Sequence, residues 1–217
     1  DPVDLGGNGT PISEAAAPPF TPYGQTLYEA TISDAEWSSK DPRNVCDPIG
    51  FPRSYTYNYG IEFIHLPGRT IEFFEQGHMS RTIWTDGRKL PPNPPIPRFY
   101  GYAIGRWEGD TFVVESNGYD DRSWIMGENG RRNAAKRQAG FPHSDEMRIE
   151  ERYKRINYGQ LQAELTITDP KVYTGPWKSG SGIINMVPDS ELAEHACVPS
   201  DEIDFNNRNI IPALQPK

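Results

Sequence analysis

The chain has 217 residues and a formal net charge of −8. Its 22 basic side chains form no stripe able to neutralise a run of phosphates, which argues against nucleic acid as a partner. No apolar run approaches the roughly 18 residues that a membrane-spanning helix needs. Hydrophobic residues are 35% and aromatics 12%, with 20 glycines and 21 prolines, so short elements joined by turns are expected over a core of few, large side chains.

One domain is expected over 21–200, with a flexible lead at 1–20 and a tail at 201–217. The lead, DPVDLGGNGTPISEAAAPPF, is polar and Pro-rich and starts without methionine. It reads as the end left by signal-peptide removal, and so as a secreted or periplasmic protein. Cys46 and Cys197 are too far apart for a redox CxxC pair, and in an exported protein they are expected to bond. Such a bond closes a 151-residue loop, for which chain entropy gives at most about 5 kcal/mol. Two separate buried thiols are the alternative.

Thr21-Pro22 opens a predicted helix in TPYGQTLYEATISDAEW. YGIEFIHL (59–66) and RTIEFFE (69–75) then flank Pro67-Gly68 as a hairpin. HMSRTIWT (78–85) follows Gln76-Gly77 and ends at Asp86-Gly87. DGRKLPPNPPIPRFYG places five prolines in 91–97, which forbids ladder pairing and predicts a strap across one end of the fold. GYAIGRW (101–107) and TFVVESN (111–117) flank Glu108-Gly109-Asp110, and DEMRIEERYKRI (145–156) and QLQAELTIT (160–168) flank Asn157-Tyr158-Gly159. A further strand is possible at SGIINMV (181–187) or in 53–58, and the basic run at 130–140 reads as a solvated loop.

Successive hairpins without helical crossovers predict an all-β fold: an up-and-down antiparallel, lipocalin-like β-barrel of about eight strands, with an N-terminal helix and long Pro-rich loops. A β-sandwich is the competing architecture.

Alternation in 146–155 puts Glu151 and Tyr153 on the face shared by Met147 and Ile149, because the other face is entirely charged. An inward carboxylate needs a partner or must shift toward neutrality. Glu151 is therefore either half of a buried arginine ion pair or a general acid or base. In 78–84 the inward face carries either His78 or Arg81. His78 is a candidate base, and Arg81 and Arg88 are candidate anion clamps that could equally satisfy Asp86, Glu75 or Glu151. His143, after Pro142, is a second acid–base candidate or a turn cap; His65 and His195 read as structural. Trp107 in GRWEGD suggests a barrel plug by analogy, and Trp177 another core or rim plug. No GxSxG or HExxH spacing is present.

The segments CDPIGFPR, GHMSRTIWTDGR, GYAIGRWEGDTFVVESNGY, PHSDEMRIEERYKR, LTITDPKVYTGPW and PDSELAEHAC occur in this order. Over about Pro19 to Cys197 the chain resembles a family of exported bacterial proteins usually labelled hypothetical. The family pattern matches His78, Arg81, Asp86, Gly87, Arg88, His143, Ser144, Glu151, Arg152, Asp169, Tyr173, Trp177 and both cysteines. Gly77 stands where the family usually has Asn, and GENGRRNAAKRQAG looks longer than the usual connection. The resemblance implies export and a polar site at His78 and His143, and brings no activity with it.

Three functions are expected from these residues. The first is a cofactor-independent lyase, isomerase or hydrolase for a small organic or glycosidic ligand. His78 would be its base, His143 or Glu151 its acid, Arg81 or Arg88 its electrostatic support, with Asp86 and Tyr153 beside them. The second is a lipocalin-like carrier. The third is an enzyme using a transition metal ion held by His78, His143 and Glu75 or Glu151. Nothing in the sequence bears on oligomeric state.

Overall fold

The computed structural model describes residues 2–4, 12, 16–34, 39–57, 59–92, 94–127, 139–205 and 207–208. The basic run at 130–138, most of the lead and much of the tail lie outside the described residues. Among the described residues there are twelve strands: β1 (Pro2–Asp4), β2 (Gly60–Leu66), β3 (Arg69–Phe74), β4 (Met79–Trp84), β5 (Tyr102–Glu108), β6 (Thr111–Asn117), β7 (Trp124–Met126), β8 (Phe141–Pro142), β9 (Arg148–Asn157), β10 (Gln160–Thr168), β11 (Trp177–Lys178) and β12 (Gly182–Met186). The helices are α1 (Pro22–Thr31) and α2 (Pro199–Phe205).

Ten strands form one curled, barrel-like sheet, eight of them in the order β2-β3-β4-β5-β6-β9-β10-β12, with β11 paired to β10. The three residues of β1 pair with β12 on one side and β2 on the other, across the gap between the sheet's edges. Every strand expected from the hairpin pattern is present, and SGIINMV supplies β12. Residues 53–56 instead form a 3₁₀ turn. One pairing departs from an up-and-down meander: β4 and β5 are parallel, through Ile83↔Ala103 and Trp84↔Ile104. The Pro-rich strap causes this, because it carries the chain back along the barrel before β5 begins. It is held by the Asn117 side chain donating to Pro91 O (2.7 Å) and by Phe51 N–H donating to Phe99 O (2.9 Å).

Thr21 caps α1, its hydroxyl accepting from Gly24 N–H at 2.9 Å, and Pro22 occupies the first turn. The helix ends at Thr31, short of the Trp37 end of the expected segment. A small second sheet pairs β7 with β8.

The barrel has two unlike ends. At one lie the hairpin turns at Pro67-Gly68, Gly109-Asp110 and Tyr158-Gly159; both Gly68 (φ 75°) and Gly109 (φ 63°) adopt the left-handed conformation these turns require. The other end is stoppered by residues 49–57, which send the fully buried Phe51 and Tyr55 into the interior. Trp177 is completely buried in the core, as expected of a plug. Trp107 is not a plug: it is 61% exposed at the hairpin end, its ring 5.1 Å from that of Phe112 and tilted to it. The cysteines bond to each other, Cys46 to Cys197. No helix among the described residues is long and apolar enough to cross a membrane.

Candidate functional site at the barrel mouth

Alternation puts Glu72 on the inner face of β3, Arg81 on that of β4 and Glu151 on that of β9. All three are buried. Arg81 Nε donates to Glu72 Oε2 (2.5 Å), and its terminal nitrogens donate to both oxygens of Glu151 (2.9 and 2.5 Å). The guanidinium stacks 3.8 Å from the Phe51 ring. Burial works to lower the Arg81 pKa, but Glu151 and Glu72 outweigh it and hold the guanidinium well above its ordinary value. The buried arginine partner expected for Glu151 is therefore Arg81.

Two tyrosines complete this layer. Tyr55 bonds to Glu72 Oε1, Tyr153 donates to Glu151 Oε2 (2.5 Å), and the two hydroxyl oxygens are 2.6 Å apart. Burial pushes both phenols well above their ordinary pKa, so both stay protonated. Three oxygen–oxygen contacts need three protons, and two phenols supply two. The third must sit on a carboxyl. Burial raises the Glu72 pKa despite the opposing pull of Arg81, whereas Glu151 faces both terminal nitrogens of the guanidinium. Glu72 is therefore the carboxyl pushed toward its protonated form, while Glu151 takes the forked end of the guanidinium.

Tyr153 is also the partition between this layer and the open end. Its ring lines a cavity of about 340 Å³ at the barrel mouth. Phe63, Phe112 and Trp107 supply the other aromatic walls, with Leu161, Ile184 and Met186 opposite. Phe63 meets Tyr153 edge-on at 5.5 Å. The polar groups at the rim are His65, Asp110, Arg155 and Gln160. His65 Nδ1 is engaged with Thr70 Oγ1 at 2.8 Å, and Asp110 is paired with Lys154 at 3.1 Å. An aromatic, mostly apolar cleft with a few rim polar groups can hold a small molecule and orient it.

The other expected site residues lie elsewhere. His78 is exposed at the stoppered end, its Nε2 within 2.9 Å of His195 N and 3.1 Å of Ala193 O. His143 is buried outside the mouth, with Nδ1 donating to Ser144 O (3.0 Å) and Nε2 beside Ser123 Oγ (2.9 Å); burial lowers its pKa and keeps it neutral. Asp86 and Arg88 form a surface pair with Arg88 stacked 3.5 Å over Trp84. Glu75 accepts from Gly60 N–H at 2.7 Å. Of the expected set, Arg81, Glu151 and Tyr153 come together, and only Tyr153 reaches the mouth. The alternative metal set of His78, His143 and Glu75 is not assembled: among the described residues no group of three or more His, Cys, Asp or Glu could hold an ion.

Sequence reasoning missed Tyr55 and Glu72, and read His65 as structural. Glu72 was within reach, since the Gln76-Gly77 turn sets it directly across from Arg81. His65 shares the alternation of Phe63, two positions before it. No family model matches the chain, nor does any curated protein or solved structure.

Proposed function

We propose that this protein binds a small, largely apolar organic molecule in the barrel mouth, as a lipocalin-like carrier does. The observation that supports it is the cavity of about 340 Å³ walled by four aromatic rings and open at the hairpin end. Pockets of this volume and lining suit small ligands. The charged layer beneath is internally satisfied, so it makes a rigid floor rather than a set of free catalytic groups. We read the chain as exported, because a disulfide linking Cys46 to Cys197 belongs with an oxidising compartment.

The test is titration with a neutral, environment-sensitive probe such as N-phenyl-1-naphthylamine. One equivalent should bind with enhanced emission, and Trp107→Ala with Phe63→Ala should weaken it at least roughly tenfold. A wild-type protein that leaves the probe dark at millimolar concentration rules the reading out.

A lyase, isomerase or hydrolase acting in the same mouth is the second reading. It is favoured by His65, the histidine that lines this cavity with Nδ1 already engaged. Turnover of a bound ligand that disappears in His65→Gln, with binding retained, would establish it.

A further inference from the structure

Charge at the mouth is unevenly matched. Of the charged residues lining the cavity, Asp110 is neutralised by Lys154 at 3.1 Å. The Lys154 pull, through hydrogen bond and charge, keeps the Asp110 carboxyl below its ordinary pKa, so the Asp110 charge is closed on Lys154. Arg155 is different. It stands at the outer end of the same β9 face as Glu151 and Tyr153, and lines the cavity where that face leaves the apolar walls. One of its N–H groups donates to Tyr158 O at 2.8 Å, and the guanidinium lies 5.6 Å over the Tyr158 ring. Among the described residues it has no carboxylate partner. The ring and carbonyl of Tyr158 hold the guanidinium in place and leave its remaining donors free.

The geometry points to an apolar carboxylic acid as the ligand, its hydrocarbon or aromatic body against Phe63, Phe112 and Tyr153 and its carboxylate on Arg155. This rests on the proposed binding function and names the ligand class for the same site. A guanidinium offers a planar fork that a carboxylate fits with two parallel hydrogen bonds. An amine would meet like charge there, and an alcohol would forgo the charge-assisted bonds. The orientation also follows: the acid group stays at the wet rim, where its desolvation is small, and the apolar body goes inward.

Three ligands with one ring system separate the possibilities: 1-naphthylacetate, 2-(1-naphthyl)ethanol and 1-naphthylmethylamine, each titrated calorimetrically at pH 7.5. The acid should bind roughly tenfold or more tightly than the alcohol, with the amine weakest. Arg155→Gln should bring the acid down to the alcohol and leave the alcohol unchanged, while Arg155→Lys should keep part of the preference. Arg155 is exposed at a strand end, so these variants should fold as the wild type does, which circular dichroism checks. Equal binding of acid and alcohol, or a preference that survives Arg155→Gln, overturns the assignment while leaving the binding function standing. Failure of all three ligands to bind overturns this inference, and failure of the neutral probe overturns the binding function beneath it.

Discussion

The hydroxyl oxygens of Tyr55 and Tyr153 lie 2.6 Å apart, at the centre of a hydrogen-bonded chain that starts on Glu72 and ends on Glu151. The rings are 98 positions apart in sequence and reach this contact from opposite ends: Tyr55 with the stopper, Tyr153 through the floor of the mouth. The Tyr153 hydroxyl donates to Glu151, and a proton on Glu72 is what lets Tyr55 donate to Tyr153 in turn.

That direction makes the two glutamates unequal. A glutamine at 72 reproduces a protonated carboxyl, donating to Tyr55 and accepting from Arg81. At pH 4.5, Glu72→Gln should therefore change stability by no more than about 1 kcal/mol. Glu151→Gln removes the forked partner of a buried guanidinium and should cost about 3–5 kcal/mol. Urea denaturation midpoints of the two variants check this. Equal losses would place the proton differently.

The same proton gives a pH dependence. A carboxyl whose folded pKa is raised contributes stability fully below its unfolded value, near 4.5, and loses it as pH rises through the folded value. The wild-type advantage over Glu72→Gln should accordingly shrink as pH increases above 4.5. Paired urea titrations from pH 4.5 to 8 measure it; an advantage that grows with pH contradicts the assignment.

His143 should act with the opposite sign. Burial holds its folded pKa below the ordinary 6.5, so below that pH the unfolded chain binds the extra proton. Stability should fall as pH drops from about 6.5 toward the folded pKa, by at most about 1.4 kcal/mol per pH unit. His143→Gln should be less stable at pH 7.5, having lost a matched pair of hydrogen bonds, but should lack this slope. A parallel pH profile in the variant would show that His143 is not its source.

Removing the disulfide should be costly. Replacing both Cys46 and Cys197 by serine releases a long loop and should lower stability by as much as about 5 kcal/mol. Thermal unfolding of the variant, compared with wild type under non-reducing conditions, reads the difference. A loss under about 1 kcal/mol would mean that the unfolded chain is already restrained near these positions.

The barrel was legible because its signals are local. Pro67-Gly68, Glu108-Gly109-Asp110 and Asn157-Tyr158-Gly159 each mark a hairpin, and each hairpin is present. The inward phase of Glu151 and Tyr153 followed from the wholly charged face opposite. The parallel β4–β5 pair was not legible, because a proline-rich connection shows where pairing stops but not where the chain re-enters. The site was harder for the same kind of reason. His78 and His143 drew notice for their chemistry, yet one sits at the stoppered end and the other beneath a side layer. RTIEFF alone does not mark its inner face, since Ile71 and Phe73 stand on one side and Phe74 on the other; only its register with Arg81 across the Gln76-Gly77 turn does. The mouth is an assembly of strand ends, and its members are neighbours only once the sheet has curled.

The covalent link between residues 46 and 197 spans more than two ends of chain. The stopper and every strand of the main sheet except β1 fall between those positions. The protein is in this respect a hoop: one peptide cleavage anywhere in that span opens a ring and severs nothing. A nicked molecule should migrate as one 24.5 kDa species until a reductant is added. Both halves of the barrel then remain held for re-pairing, and a protease must cut twice within the ring before any of those strands can leave.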